Sequence, residues 1–118
     1  MRINLNDTLF CLVDVQEKLF PHIGNKEELE KTLPILVKGM KVLDVPIIVN
    51  EQYKKGIGET IEPLKELVSQ YQSYEKTTFS GCQNDSILEA LKASGKKNIV
   101  VAGIETHVCV LQTCIDLL

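Results

Sequence analysis

Apolar residues fall into three short clusters, joined by stretches with helical spacing and one polar strand candidate. Thr8 to Val15 (TLFCLVDV) is almost entirely apolar apart from Asp14, a pattern that predicts a strand covered on both faces, as in parallel sheets. From Asn25 to Asp44, Leu29, Leu33, Leu36, Val37, Met40 and Leu43 recur at helical spacing. They predict a helix with Asn25 as N-cap, Glu28 three residues on, and a bend or restart at Pro34. Val45 to Asn50 (VPIIVN) predicts a second strand, with its proline near the start where strands tolerate one. Glu51 to Glu62 is polar with Gly56 and Gly58, a predicted loop that leads into a short helix over Pro63 to Gln70. Ser73 to Thr77 is a third strand candidate. Asn84 offers an N-cap for a helix carrying Ile87, Leu88 and Leu91, which Gly95 ends. Asn98 to Ala102 (NIVVA) predicts the fourth strand, and the last helix starts at Thr106, with Val110, Cys114 and Leu117 on one face. The alternation of strand and helix with short connections predicts an open parallel α/β sheet with helices on both faces.

Composition narrows the function. The chain has 118 residues, 44% hydrophobic and 25% charged, enough for one core without disulfides or a structural metal. Lys plus Arg number 13 against 16 Asp plus Glu, a net charge of −3, and no basic run would track a phosphate backbone, so nucleic acid is not an expected partner. No apolar stretch approaches the roughly 20 residues needed to cross a bilayer, and Met1 to Asp7 lacks the signal-peptide pattern, so no membrane contact and a cytoplasmic location are expected. Cys11, Cys82, Cys109 and Cys114 form no C-x-x-C pair. Disulfides are therefore not expected.

In open parallel sheets, ligands gather beyond the carboxyl ends of the strands. Three residues there are chemically notable: Asp14 near the end of the first strand, Lys76 at the end of the third, and Cys109 in the first turn of the last helix. A helix N-terminus and a nearby cation both lower a thiol pKa, so this placement predicts an activated Cys109, with Asp14 accepting and returning its proton. Unpaired N–H groups at the start of the same helix suit an oxyanion. The competing structural readings are a loop-bonding Asp14, a solvated Lys76 and a buried apolar Cys109.

Leu12 to Gln16 (LVDVQ), Glu75 to Ser80 (EKTTFS) and Gly103 to Val110 (GIETHVCV) together resemble the three signatures of the isochorismatase-like cysteine hydrolases. The resemblance runs from about Asn6 to the end of the chain and takes in the stretch Asn50 to Gly58 (NEQYKKGIG). It implies a Rossmann-like three-layer α/β/α fold and a triad of Asp14, Lys76 and Cys109. It also implies a cis peptide between Ile104 and Glu105 that turns the Glu105 amide toward that of Cys109 in an oxyanion hole. The implied function is hydrolysis of a small-molecule amide or related C–N bond through a Cys109 thioester, with no metal or organic cofactor. Gln16, Phe20, Tyr53, Phe79 and Thr106 are the expected pocket residues, and a homo-oligomer is the expected state.

Two departures from the family pattern matter. Nicotinamidases of the family bind a metal through an Asp and two histidines after the second strand, where this chain has no histidine; His22 and His107 are too far apart to suggest a pair on one element. Family members also continue for one or two further strand–helix repeats, so the C-terminal part of the domain is expected to be missing from residues 1–118, with the fourth strand left as an edge. A non-catalytic scaffold and a redox thiol protein using Cys109 and Cys114 are the alternatives.

Overall fold

The computed structural model describes residues 2–118, with Met1 outside the described residues. Its center is β1 (Thr8–Val13), six residues that are all buried. The alternation of a strand sends Phe10 and Leu12 to one face and Leu9, Cys11 and Val13 to the other. Phe10 and Leu12 pack with Leu33 and Val37 of α1 (Lys26–Val42) and Leu64 of α3 (Glu62–Lys65). Leu9 packs with Ile87 and Leu91 of α4 (Asp85–Ala93), and Cys11 and Val13 pack with Cys109. Burial on both faces explains why the first strand reads as one apolar run.

β2 (Ile47–Gln52), β3 (Ser73–Lys76) and β4 (Asn98–Gly103) complete a parallel sheet in the order β3-β2-β1-β4. The chain steps outward from β1 through β2 to β3 and then crosses back to the other side of β1. The switch in direction therefore lies between β1 and β4, where an open α/β sheet forms its crevice. In register, Val13 stands opposite both Asn50 and Gly103, and Gln52 opposite Lys76.

Several predicted boundaries shift. β2 runs two residues beyond Asn50 because Glu51 and Gln52 pair with Glu75 and Lys76. The predicted loop after it contains one helical turn, α2 (Lys54–Ile57), and regular helix in the next segment covers only Glu62–Lys65. Helix α1 continues through Pro34, because Leu33 and Val37 on either side of it are both buried against the sheet. Asn25 does not cap that helix with its side chain; it adopts a left-handed conformation, φ 58°, and Glu27 and Glu28 are left to face the positive helix end. The last helix opens as a π-type turn, Thr106–Val110, before α5 (Leu111–Leu117). Thr113 is the fully buried residue of α5, while Val110, Cys114 and Leu117 are partly buried. No helix among the described residues is long and apolar enough to cross a membrane.

The closest approach in the sheet is at Gly103. Its φ is +148°, and a Cβ there would stand 2.0 Å from the carbonyl oxygen of Val13. The next residue, Ile104, donates to that same oxygen at 2.9 Å, so β4 stays bonded to β1 to its end. Gly103→Ala must displace backbone and is expected to cost about 3 kcal/mol or more in urea unfolding. Gly95→Ala is the control: φ is +66° but nothing lies within 4 Å of the added carbon, and we expect a cost of about 1–2 kcal/mol.

Candidate active site

Asp14 follows the last residue of β1 in a left-handed conformation, φ 54°, which is uncommon outside glycine, with its N–H bonded to the carbonyl of Asn50 at 3.0 Å. Lys76 ends β3, two strands away. Register places Lys76, Gln52, Asn50 and Val13 on the sheet face that also carries Cys109, so the lysine side chain reaches across the end of β2 toward Asp14. Its Nζ lies 2.9 Å from Asp14 Oδ2, and both side chains are fully buried.

Three further acceptors surround that ammonium: Gln52 Oε1 at 2.8 Å, the Thr78 carbonyl at 2.9 Å and the Phe79 carbonyl at 3.0 Å. An ammonium has three protons, so four oxygens satisfy it completely and compensate for lost hydration. Gln52 was not among the residues singled out from the sequence. The strand order points to it, because β2 lies between β1 and β3 and its last residue must stand between Asp14 and Lys76.

The second carboxylate oxygen, Asp14 Oδ1, is buried with no hydrogen-bond partner. The Cys109 thiol faces the same carboxylate closely enough that each group shifts the other's acidity. Burial pushes the Asp14 pKa up, and the Lys76 charge and hydrogen bond oppose that rise. Burial, followed by the hydrogen bond and charge of Asp14, pushes the Cys109 thiol up to about 11, with Lys76 opposing. The expectation of a depressed thiol pKa is therefore reversed. Sequence position showed the cation and the helix start but not the desolvation, nor that the carboxylate would outweigh Lys76. A thiol of raised pKa thus stands beside a buried carboxyl group whose own pKa is raised.

The peptide between Ile104 and Glu105 is cis. The Glu105 N–H has no acceptor among the described residues, while its carbonyl receives the N–H groups of Val108 and Val110. Gln16, an expected pocket residue, is fully buried. Its Nε2 donates to the carbonyls of Gln52 and Gly58, at 2.8 and 2.7 Å, and its Oε1 accepts the Gln52 N–H at 2.6 Å. With its amide occupied by backbone, Gln16 braces the Asp14 loop against the loop after β2 and offers no group to a pocket. Phe20 likewise packs against the α1 side of the core. Tyr53 and Phe79 are about half exposed, and Thr106 lines a separate cavity of about 260 Å³ with Ile23, Leu29, Gly103 and Ile104. The five expected pocket residues therefore do not form one wall.

Among the other thiols, Cys11 lies within β1, where burial is the main cause of a pKa of about 12. Cys82 is half-buried, its sulfur 4.0 Å from the Thr113 carbonyl. His22 and His107 both stand exposed.

Comparison with known proteins gives the family and the fold. Isochorismatase family protein 1A of Dictyostelium discoideum is 40% identical over 118 residues, a match covering 96% of this chain and 57% of the relative. A solved structure described as MAR1 ribonuclease from Caenorhabditis elegans superposes with a TM-score of 0.88 at 38% identity, covering 99% of this chain and 60% of that one. The YcaC protein of Escherichia coli, described as an octameric hydrolase of unknown specificity, gives a TM-score of 0.88 at 26% identity, covering 98% and 59%. This chain thus spans somewhat under two thirds of the length of each. The profile of the isochorismatase domain matches residues 8–118, from the first residue of β1 through α5, and by that match the chain belongs to the isochorismatase-domain family.

Proposed function

We propose that the protein is a hydrolase that cleaves a small-molecule amide or related C–N bond through a thioester on Cys109. The observation that carries this reading is the fully desolvated Asp14–Lys76 pair beside the Cys109 thiol at the switch point of the sheet. A buried ion pair is weak evidence for a stability role, since apolar residues of similar volume often serve as well. A buried carboxylate held beside a thiol has a chemical use.

In the proposed reaction, Asp14 takes the thiol proton as Sγ attacks the carbonyl carbon. The negative charge moves to the carbonyl oxygen, facing the N–H groups of Glu105 and Cys109. Asp14 then returns the proton to the departing nitrogen, the C–N bond breaks, and the acyl group remains on sulfur. Water attacks the thioester, Asp14 takes a proton from it and delivers it to the departing sulfur, and a carboxylic acid is released. Lys76 keeps a buried anion in place through the cycle. Exposed Tyr53 and Phe79 flank the strand ends near this site and are proposed as its rim. No metal or organic cofactor enters these steps. We propose a homo-oligomer as the working state, as the octameric E. coli neighbor suggests.

The principal test is ammonia release from a panel of small primary amides and N-carbamoyl compounds. Cys109→Ala is expected to abolish turnover, and Asp14→Asn to lower it by about 10²–10⁴-fold. Iodoacetamide near neutral pH provides a substrate-free measurement by mass spectrometry. A passive thiol held up at about 11 would label more slowly than the half-buried Cys82; with Asp14 drawing off the proton, we expect Cys109 to label first. An unlabeled Cys109 and no ammonia release would overturn the proposal.

The pH dependence has a definite sign. Asp14 must be ionized to accept a proton, and its folded-state pKa is raised above the ordinary carboxylate value. Activity should therefore be present above that raised pKa and fall as pH drops through it. We expect the acid limb of kcat/KM above the usual carboxylate range; a limb at the ordinary value would contradict the assignment of Asp14 as base.

A further inference from the structure

Thr113 lies one turn beyond Cys109 in α5 and is fully buried. Its hydroxyl donates to the Cys109 carbonyl at 2.7 Å and accepts the Gly81 N–H at 3.0 Å. These partners belong to two different parts of the site. Cys109 carries the thiol, while Gly81 closes the loop after β3 whose Thr78 and Phe79 carbonyls receive the Lys76 ammonium. The loop is further held by the Thr78 hydroxyl donating to the Ser80 carbonyl at 2.7 Å and by the Cys82 N–H donating to Ser80 Oγ at 3.1 Å. A Cβ at Gly81 would meet Asn50 Nδ2 at 2.7 Å, so the loop is wedged between β2 and Thr113.

Helix formation does not explain a threonine here. Its β-branch and its bond back to the carbonyl four residues earlier are mildly unfavorable in a helix, and a buried apolar residue of the same shape would pack as well. What only the hydroxyl supplies is a partner for a buried backbone N–H on a neighboring element. We infer that Thr113 is a positioning residue for the Cys109 nucleophile: one hydroxyl ties the turn bearing the thiol to the loop that cages the Lys76 ammonium, and so fixes their separation. This rests on Cys109 being the nucleophile. The contacts are indirect with respect to substrate, so Thr113 acts through Cys109 and Lys76.

The test compares Thr113→Val, which keeps the shape and removes the hydroxyl, with Thr113→Ser, which keeps the hydroxyl, using the full chain. The readout is the rate of Cys109 alkylation by iodoacetamide across a pH series, followed by mass spectrometry, alongside the thermal unfolding midpoint. Loss of positioning is expected to slow alkylation in Thr113→Val by about tenfold or more near neutral pH and to move its pH profile. Thr113→Ser should stay within about twofold of wild type. If Thr113→Val does not fold, Thr113→Ser against Thr113→Ala supplies the same comparison of hydroxyl present and absent. Profiles that coincide with and without the hydroxyl, even with a lowered unfolding midpoint, overturn the inference and leave Thr113 a packing residue. A wild-type Cys109 that does not label at all overturns both this inference and the hydrolase reading, which separates the two failures.

Discussion

A lysine ammonium without water must be surrounded by oxygen, and much of this structure follows from that requirement. Lys76 Nζ has four oxygen neighbors, drawn from the end of β1, the end of β2 and the loop after β3. Two come from the chain just after Lys76 and two from the ends of β1 and β2, so the full set forms only when three strands end at matching heights. The parallel register provides this: Gln52 pairs with Lys76, and Val13, just before Asp14, pairs with Asn50. Gln16 then fixes the Asp14 loop to Gln52 and Gly58. Leaving one of these charges unpaired would cost several kcal/mol, on the order of a large share of a small domain's stability. The cage is thus a condition of folding as well as a feature of the site.

The same desolvation sets the chemistry. A thiol meant to react with whatever arrives would be exposed and acidic. Here burial and the adjacent carboxylate hold Cys109 protonated, and burial also makes Asp14 a better base than an exposed carboxylate. In the proposed hydrolase, the nucleophile is generated as its proton moves to Asp14 and carries no standing charge. Lys76 limits how far Asp14 can rise, since without a cation a buried carboxylate would stay protonated and could accept nothing. Asp14 and Cys109 have to be considered together, because each shifts the other's acidity and Lys76 acts on both.

Parts of this arrangement were legible in the sequence because they depend on local pattern. Three apolar clusters and the polar Ser73–Thr77 candidate, alternating with helical spacing, suffice for a parallel sheet, and the end of a strand suffices to place Asp14 and Lys76 near its carboxyl edge. Features set by contacts between distant segments were not legible. The continuation of β2 to Gln52 depends on β3, and the unbroken α1 depends on burial on either side of Pro34. Gln16 was an expected pocket residue, named within the LVDVQ stretch that carries the family resemblance. Its amide is occupied by backbone 36 and 42 residues away, a distance no motif reports. The direction of the thiol shift failed for the same reason: a sequence shows which charges are available and leaves their solvation unknown.

The chemical groups and the surface around them are built differently. Asp14, Lys76 and Cys109, with Gln16, Gln52 and Thr113 behind them, are all buried or bonded into the ends of the sheet, where a change in one displaces another. Tyr53 and Phe79 stand about half exposed on the segments after β2 and β3, and Thr106 is exposed at the start of the turn that carries Cys109. Their side chains supply none of the Lys76 acceptors, to which Phe79 contributes only its backbone carbonyl. A fold arranged in this way can keep one reaction while its rim changes, so the buried groups point to a class of chemistry and the loops decide which molecule meets it.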